Sequence, residues 1–258
     1  MTRRAIRIVR TPLLRLHGLR ARYRRSMDCQ IIRDAHHRRG FTTLFRITVG
    51  RRVAGYGAVG MARHNRGVLQ EFYLLPRYRS RALHLFRQLL FVTRARHISC
   101  QSNDALLTLM LYDCARNIRV EHHLFEDSAT TRLLVTGARF RPTRPTDARN
   151  IFPHRSEPIG DWVVEWRGAI VATGGILTHY NPPYGDLHME VAPRFRRRGF
   201  GSFIVQELKR IAYRRGLIPA ARCNGTNVAS RRTLERAGFA VCGRILTGRV
   251  ATSSRRTA

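Results

Sequence analysis

The sequence contains almost no lysine. Its 258 residues include 48 lysines and arginines, and Lys209 is the single lysine among them. Proteins whose main role is nucleic-acid binding commonly mix both cations, because both neutralise phosphate. The arginines are also spread along the whole chain instead of lying in one stripe. This composition favours a genome with GC-rich codons over a dedicated nucleic-acid binder.

Acidic residues are scarce as well. Only 16 aspartates and glutamates oppose the basic residues, which leaves a formal net charge of +32. A chain with this charge attracts RNA, DNA and anionic membranes non-specifically. A basic nucleic-acid- or ribosome-associated protein therefore remains an alternative function class.

Long apolar runs and paired cysteines are also absent from the sequence. No run approaches about 18 apolar residues, so we expect no membrane-spanning helix. The five cysteines are odd in number and include no CxxC pair, which argues against disulfides and structural zinc. His122 and His123 would face opposite sides of a strand, so we expect no metal site. These features are typical of a reducing, cytoplasmic compartment.

The N-terminal segment is basic and lacks the apolar stretch of a secretory signal. Residues 1–26 carry nine arginines and no acid. We expect residues 1–27 to form a disordered basic arm. An organelle-targeting peptide, or a true translation start at Met27, are the alternatives.

The chain repeats itself once. The segments "VAGYGAV" (53–59) and "IVATGGI" (170–176) align at an offset of 117, as do "LLPRYRSRAL" (74–83) and "VAPRFRRRGF" (191–200). Repeats of this length form tandem domains rather than a solenoid. We expect domains at residues 28–136 and 151–250, a linker at 137–150, and a disordered tail at 251–258.

Both copies show the same order of predicted elements. In the second copy, alternation predicts a strand in "DWVVEW" (161–166), and "LHMEVAP" (187–193) forms a later strand that Pro193 ends. A helix follows, with its apolar positions at helical spacing: Phe200, Phe203, Ile204, Leu208 and Ile211. A short strand, a helix and a last strand complete the copy. The predicted fold class is α/β (α+β), with a mixed, mostly antiparallel sheet flanked by helices in each domain.

The segment between this strand and this helix fits a phosphate group. It reads "RRRGFG" (196–201), so a helix N-terminus offers backbone N–H groups and a favourable dipole to an anion. Gly199 and Gly201 lack a Cβ and let a phosphate approach the backbone. The preceding arginines add charge at the rim. A pyrophosphate fits this geometry better than a duplex backbone does.

Two motifs here resemble the GNAT superfamily of N-acetyltransferases. The family signature Arg/Gln-x-x-Gly-x-Gly/Ala stands as Arg196, Gly199 and Gly201, and "NVASRRTLERAGF" (227–239) resembles the family's second conserved segment. The resemblance covers residues 160–247 well and the first copy only in outline. It implies two tandem GNAT-like domains and acetyl-CoA as the acyl donor.

The resemblance also implies a mechanism and a set of cofactor-binding residues. An amine attacks the thioester carbonyl directly, and backbone N–H groups near Val191 hold the pantetheine and the developing oxyanion. Asn227 would lie near the cofactor, and it is equally typical of a helix N-cap. The residues expected to bind acetyl-CoA are Val191, Arg196, Arg197, Arg198, Gly199, Phe200, Gly201 and Asn227.

The amine acceptor needs a base, because it is mostly protonated at neutral pH. Strand parity places His188 and Glu190 on one face of their strand. By resemblance to family members with a carboxylate on this strand, Glu190 is the candidate base, with His188 and Asp186 as alternatives. A structural ion pair between Glu190 and an arginine is the competing interpretation.

The sequence offers more than one candidate for the group that protonates the leaving thiolate. Many members of the family carry a tyrosine where Leu234 stands here. Tyr184, Tyr180 or water then takes this role, and we expect Tyr184 to be catalytic. Both tyrosines belong to the loop "HYNPPYGD" (179–186), which is suited to lining a substrate pocket.

The first copy departs from the signature. Ala82 and His84 stand where the repeat alignment places the two glycines, so we expect this copy to have lost acyl-CoA binding. Residues 151–160 leave little room for the helices that usually wall the acceptor site. We therefore expect the acceptor, a small-molecule or peptide amine, to lie between the two halves. A tRNA-dependent aminoacyl transferase is a further alternative, although the intact glycine loop argues against it.

Overall fold

The computed structural model describes residues 5–27, 34–155, 157–178 and 182–251. They form two units, each with a mixed sheet and packed helices. Within the described residues, the first unit contains the chain up to Glu121 and again from Gly243, and the second contains residues 122–242. The predicted fold class, two tandem α/β domains, is confirmed.

The first half of the chain supplies ten of the elements. They are β1 (Ile6–Arg10), α1 (His17–Arg25), α2 (Asp34–Arg38), β2 (Thr42–Val49), β3 (Arg52–Gly60), β4 (Val68–Leu74), α3 (Ala82–Thr93), β5 (His97–Gln101), α4 (Ala105–Cys114) and β6 (Ala115–Asp127).

The second half supplies the remaining strands and helices. They are β7 (Ala138–Pro142), β8 (Trp162–Trp166), β9 (Ala169–Leu177), β10 (Tyr184–Val191), α5 (Phe200–Arg214), β11 (Ile218–Asn224), α6 (Val228–Arg236) and β12 (Phe239–Val250).

The strand order of the two units is the same. In the first unit it is β1-β2-β3-β4-β5-β12, and in the second it is β7-β8-β9-β10-β11-β6. Among the strand pairs described within each unit, those of β4 with β5 and of β10 with β11 are parallel and the others are antiparallel. The two units therefore repeat one topology, as the sequence repeat predicts.

The elements follow the offset of 117 found in the sequence. Strands β3 and β9 begin and end 117 residues apart, and β4 and β10 end 117 residues apart. A short 3-10 helix beginning with proline follows both β4 and β10, at Pro76 and Pro193.

Each unit has its own apolar core. In the first, α3 places Leu85, Phe86 and Leu89 against the sheet, and all three are fully buried. In the second, the face of α5 that the helical spacing predicts is buried in its entirety. Burial of apolar area of this kind supplies most of the stability of each unit.

The prediction of a disordered basic arm is wrong for residues 5–27. Strand β1 pairs with β2 along its whole length, and α1 follows it. The positive charge of Arg20 is neutralised inside the fold, because its guanidinium contacts Glu71 and Asp34. Composition alone does not show these partners, which come from other parts of the chain.

The predicted domain boundaries also need correction. Residues 138–142, expected in a linker, form β7 and pair with β8. Residues 122–126 of β6 pair with β11 in the second unit, and residues 245–249 of β12 pair with β5 in the first. Strand β6, at the end of the first half of the sequence, thus completes the sheet of the second unit. Strand β12, at the end of the second half, completes the sheet of the first unit.

Lys209 on α5 holds the segment that follows β6 in place through hydrogen bonds and an ion pair. Its ammonium donates to the carbonyls of Ala129 at 2.7 Å and Ala237 at 2.8 Å, and it lies 2.5 Å from an Asp127 carboxylate oxygen. The side chain is buried. Gly238 packs here as well, since a Cβ would lie 2.0 Å from the Ala129 carbonyl oxygen.

Within the described ranges, no helix combines the length and apolar character needed to cross a membrane.

Candidate functional site

Strand β10 presents two chemically different faces in the second unit. Leu187, Met189 and Val191 pack toward the core that includes α5. Asp186, His188 and Glu190 occupy the other face and are all buried. This alternation is the one predicted from strand parity.

Strands β10 and β11 separate along their length. They pair only from Tyr184 with Ile218 to Asp186 with Ala220, whereas β10 continues to Val191 along β9. The Ala192 N–H donates to the Val171 carbonyl of β9 at 2.9 Å. Because N–H directions alternate along a strand, the Val191 N–H faces the opposite side, toward β11. The Val191 N–H, a backbone hydrogen-bond donor, therefore lies at the edge of the gap between β10 and β11.

The glycine-containing loop ends in a left-handed turn. Arg197 has φ of 64° and Gly199 has φ of 87°, and Gly199 is the N-cap of α5. Left-handed φ is costly for residues with a Cβ, which explains glycine at the cap. Such turns direct neighbouring N–H groups into a concavity that suits anions.

A cavity of about 310 Å³ lies against this turn. Arg197, Arg198 and Gly199 line it together with Arg236 of α6 and residues 133–135. Among these described lining residues no side chain is acidic. The sequence did not identify Arg236, because it lies in a stretch with several exposed arginines and no distinguishing spacing.

The remaining predicted cofactor-binding residues have structural roles in addition. The Phe200 side chain is buried beside Phe195 and Trp166, so only its backbone is available to a ligand. A Cβ on Gly201 would lie 3.0 Å from the Thr233 methyl group, which makes this glycine a packing residue. Asn227 caps α6 by accepting the Ser230 N–H at 3.0 Å.

Arg196 folds back onto the end of β10. Its Nε donates to the Val191 carbonyl at 3.1 Å, and a terminal nitrogen lies 3.8 Å from the Glu190 carboxylate. It does not line the cavity beside Arg197 and Arg198. The structure thus separates Arg196 from the other two arginines of the motif.

The Glu190 carboxylate holds the loop that precedes β8. It accepts the backbone N–H of Arg155 at 3.1 Å and that of Glu157 at 3.3 Å. His154 bridges the Glu157 carbonyl at 2.8 Å and the Thr173 hydroxyl at 2.9 Å. These bonds fix His154, Arg155 and Glu157 over the polar face of β10.

Glu157 brings a further carboxylate to this face, in addition to those of Asp186 and Glu190. Burial, and then the negative charge of Asp186, raises the pKa of Glu157 above its usual value, against the opposing effect of Arg222. Arg222 of β11 lies 3.5 Å from Asp186. A carboxyl with a raised pKa in a polar cluster is a candidate for proton transfer. No periodicity or motif spacing in the sequence points to Glu157.

Tyr184 lies at the far end of the same strand. It is the first residue of β10, and Glu190 stands six positions further along the strand. At about 3.3 Å per residue, their backbones are about 20 Å apart. The structure therefore does not bring the two residues predicted to be catalytic together. Tyr180 and its two neighbours, residues 179 and 181, lie outside the described residues.

Leu234 and Cys223 are both buried in the core of the second unit. Burial also raises the pKa of the Cys223 thiol. A buried cysteine of this kind behaves as a small apolar residue. In the parts of the chain that are described, no group of three or more His, Cys, Asp and Glu residues could hold a metal ion.

The corresponding loop of the first unit has a different conformation. The N-cap of α3 is Arg81 with φ of −107°, so the left-handed turn of Gly199 has no counterpart there. Ala82 is buried and His84 is exposed on the helix.

A buried ionic network occupies the polar face of the first unit. Glu71 contacts Arg20, accepts the Tyr56 hydroxyl at 3.1 Å and lies 3.1 Å from His37. Burial opposes the charge of Glu71, but Arg20 and His37 outweigh it and lower the pKa of this carboxyl to about 2. Side chains thus fill the space that corresponds to the face of Glu190 and Glu157.

Two family models match this chain in succession. One, described as the acetyltransferase (GNAT) family, matches residues 123–239, and one described as an acetyltransferase (GNAT) domain matches residues 16–128. The chain belongs to the GNAT superfamily of acetyltransferases, with two GNAT regions in tandem.

Solved structures show the same fold over nearly the whole chain. A GNAT-family acetyltransferase from Colwellia psychrerythraea has a TM-score of 0.74 at 18% identity, covering 96% of this chain and 100% of its own. A tandem GNAT protein from the clavulanic acid biosynthesis pathway has a TM-score of 0.62 at 13% identity, with the same coverage. A GCN5-related N-acetyltransferase from Sphaerobacter thermophilus has a TM-score of 0.53 at 18% identity and covers 81% of both chains. A comparison with curated proteins gives no match.

Proposed function

We propose that this protein transfers an acetyl group from acetyl-CoA to an amine, and that the second unit carries the reaction. The observation that supports this most is the left-handed turn at Arg197–Gly199 beside a cationic cavity at the start of α5. The pyrophosphate would bind there, with charge-assisted hydrogen bonds from Arg197, Arg198 and Arg236.

The pantetheine arm would then enter the gap between β10 and β11. The Val191 N–H faces this gap and can bond an amide of the arm or the oxyanion that forms on the thioester carbon. The amine nitrogen forms a bond to the carbonyl carbon, the carbon–sulfur bond breaks, and the thiolate leaves with the electron pair.

The proton of the attacking amine would pass to the carboxylates on the polar face of β10. Glu190 remains the candidate base from the sequence, and Glu157 is a second one. Glu190 is engaged by two backbone N–H groups of the loop, which suits a positioning residue. The raised pKa of Glu157 suits a base that must hold a proton transiently.

Tyr184 is the candidate acid for the leaving thiolate. Its separation of about 20 Å from Glu190 along the strand means that one reaction centre does not include both residues. A reaction that depends on Tyr184 therefore excludes Glu190 as the base.

The binding step is tested by calorimetric titration of acetyl-CoA. We expect saturable binding at one site that weakens at least about tenfold in Arg197→Gln/Arg198→Gln. The matched control is Arg214→Gln/Arg215→Gln, which removes the same charge from the exposed C-terminal end of α5. No binding by the folded, unmodified protein, or equal weakening in the control, overturns the proposal.

The catalytic step is tested by release of CoA thiol in the presence of a panel of primary amines. We expect Glu157→Gln to lower kcat/KM by about 100-fold and to remove the acid limb of the pH profile, because the unmodified carboxyl is protonated below its raised pKa. Glu190→Gln keeps an oxygen acceptor for the loop and should act mainly on KM. The control is Glu235→Gln on an exposed position of α6. Loss of activity in Tyr184→Phe, with both glutamate variants active, would contradict this assignment.

A further inference from the structure

The first unit contains a larger cavity that the proposed reaction does not use. It has a volume of about 870 Å³ and lies between α1 and the ends of β2, β3 and β4. This volume is in the range of pockets that bind small molecules and cofactors. Half of the lining residues are arginines, and none of the described lining side chains is acidic: Arg15, Arg22, Arg46, Arg52 and Arg77.

These five arginines differ from those on the other side of α1. Arg20 and Arg24 form ion pairs with Asp34 inside the fold. None of the five cavity arginines forms an ion pair with any residue that the structure describes. Like charges that converge on a concave surface repel one another and attract anions. A bound anion would therefore stabilise the cavity more than it would stabilise the side of α1 on which the arginines already pair with a carboxylate.

Arg46 provides an independent indication of a ligand. Its Nε is buried and has no hydrogen-bond partner within the described part of the chain. Buried polar atoms are nearly always paired in folded proteins, and an exception points to a water or an ion. Arg46 lies opposite the fully buried Tyr56 in the sheet, so the unmet donor of its buried Nε is costly.

Gly18 leaves the helix backbone open on the same side. A Cβ at this position would meet no atom within 4 Å, so packing does not require glycine. Glycine within a helix is destabilising relative to alanine. Its presence at the lining of the cavity allows a ligand to approach the backbone of α1 closely.

We propose that this cavity binds a small-molecule anion carrying two or more phosphate groups. The guanidinium groups match phosphate oxygens in charge and in bidentate geometry. Leu19, Val53 and Leu75 line the same cavity and offer apolar contact to an organic part of the ligand. This inference rests on the first unit alone and does not depend on acetyl-CoA binding by the second.

The test is a calorimetric titration of sodium tripolyphosphate, at a constant ionic strength of about 150 mM to screen non-specific attraction. We expect saturable binding that weakens at least about tenfold in Arg22→Gln/Arg77→Gln, since both residues are exposed and tolerate replacement. The matched control is Arg38→Gln/Arg39→Gln, an exposed pair of the same unit outside the cavity. It should bind within about twofold of the unmodified protein.

A second variant tests whether the ligand closely approaches the backbone of α1 at Gly18. Gly18→Ala should raise the melting temperature of the free protein and yet weaken tripolyphosphate binding. A stabilised variant that binds as tightly as the unmodified protein overturns this part of the proposal.

Titration of ATP in parallel identifies the source of the phosphates. Tighter binding of ATP than of tripolyphosphate supports a nucleotide, and the reverse order supports inorganic polyphosphate. Equal weakening in the control pair shows attraction by net charge only, and loss in Arg197→Gln/Arg198→Gln places the anion on the second unit. Either of these last results, or no binding at all, overturns the proposal.

Discussion

Lys209 shows why one position in an arginine-rich chain carries lysine. Its ammonium reaches two carbonyl oxygens and one carboxylate around a single nitrogen. A compact ammonium directs three donors outward from one point, whereas a guanidinium is planar and larger. The Lys209 side chain is 6% exposed, so the planar guanidinium of an arginine would have no room to spread toward solvent.

We expect Lys209→Met to lower the free energy of unfolding by about 3 kcal/mol, because the buried Asp127 carboxylate loses its cation. Lys209→Arg should cost less, about 1–2 kcal/mol, through overpacking. Urea denaturation followed by circular dichroism measures both values.

The control for this prediction is Arg210→Met, on the next residue of the same helix. Arg210 is exposed and, among the residues that the structure describes, its ion-pair partner is Glu207 at 2.7 Å. We therefore expect a change below about 0.5 kcal/mol. An equal cost at both positions would show that the helix, and not the buried ammonium, sets the effect.

The sequence predicted that the two glycines of the motif are important, and the structure gives each a reason that the sequence did not show. Gly199 is favoured by its left-handed φ of 87°. A Cβ at Gly201 would lie 3.0 Å from the Thr233 methyl group of α6, which is closer than an ordinary contact. The sequence suggested that both serve phosphate approach, because spacing alone cannot distinguish a backbone conformation from a packing contact.

At the scale of elements, α1 and α4 are joined by a buried hydrogen bond. Tyr23 of α1 donates to Asp104 at 2.9 Å, and Asp104 is the N-cap of α4 through the Leu107 N–H. Burial raises the pKa of Asp104 to about 6, despite the hydrogen bonds from Leu107 and Tyr23, which act in the opposite direction.

This shift makes the stability of the first unit depend on pH. A folded-state pKa above the unfolded value gives a contribution that is present below about pH 4 and is lost as pH rises through 6. We therefore expect Asp104→Asn to gain stability relative to the unmodified protein between pH 4 and pH 7, by on the order of 2 kcal/mol. Asparagine is also a good N-cap, so the helix start is preserved.

Urea denaturation at pH 4 and pH 7 checks this expectation. The control is Asp113→Asn, which removes an exposed carboxyl from the same helix. An equal pH-dependent gain at both positions would show that the burial of Asp104 is not the cause. A pH-independent difference for Asp104→Asn would contradict the prediction.

The sequence predicted the elements that occur in both copies, but the strands at the sheet edges, β1 and β7, were missed. Strands β9 and β10, helix α5 and the cap at Asn227 follow local periodicity and capping chemistry, which a sequence displays directly. Strand β7 was missed because its buried Arg141 is neutralised by Asp147 and Glu165. Proline, threonine and arginine in such a segment are indistinguishable from a linker until these partners are known.

At the scale of the whole molecule, the chain carries far more positive charge than it can pair. With 48 lysines and arginines against 16 aspartates and glutamates, at least 32 cations lack a carboxylate of their own. Mutual repulsion of these charges destabilises the compact state.

We therefore expect added salt to stabilise the protein. Raising NaCl from about 0.1 M to 1 M shortens the Debye length from about 10 Å to about 3 Å, and the melting temperature should rise by on the order of 3 °C. Calorimetry over a series of concentrations measures this. Screening levels off as the Debye length shrinks, so a rise that stays linear to high concentration, or a fall, would contradict the explanation.

The two halves of the sequence exchange strands, which is also a property of the whole molecule. Because β6 and β12 each end in the unit opposite to the one in which they begin, boundaries placed at the ends of the sequence repeat do not coincide with the boundaries of the units. A repeat shows which segments are alike, but it does not show which strand completes which sheet.

The solitary lysine has a consequence for chemical modification. Reagents that acylate amines, such as activated esters, meet no accessible side-chain amine on the folded protein, since Lys209 is enclosed by its three oxygen partners. Its modification would require α5 to release the segment that follows β6. The rate at which Lys209 becomes acylated, read by mass spectrometry, would therefore measure how often the second unit opens.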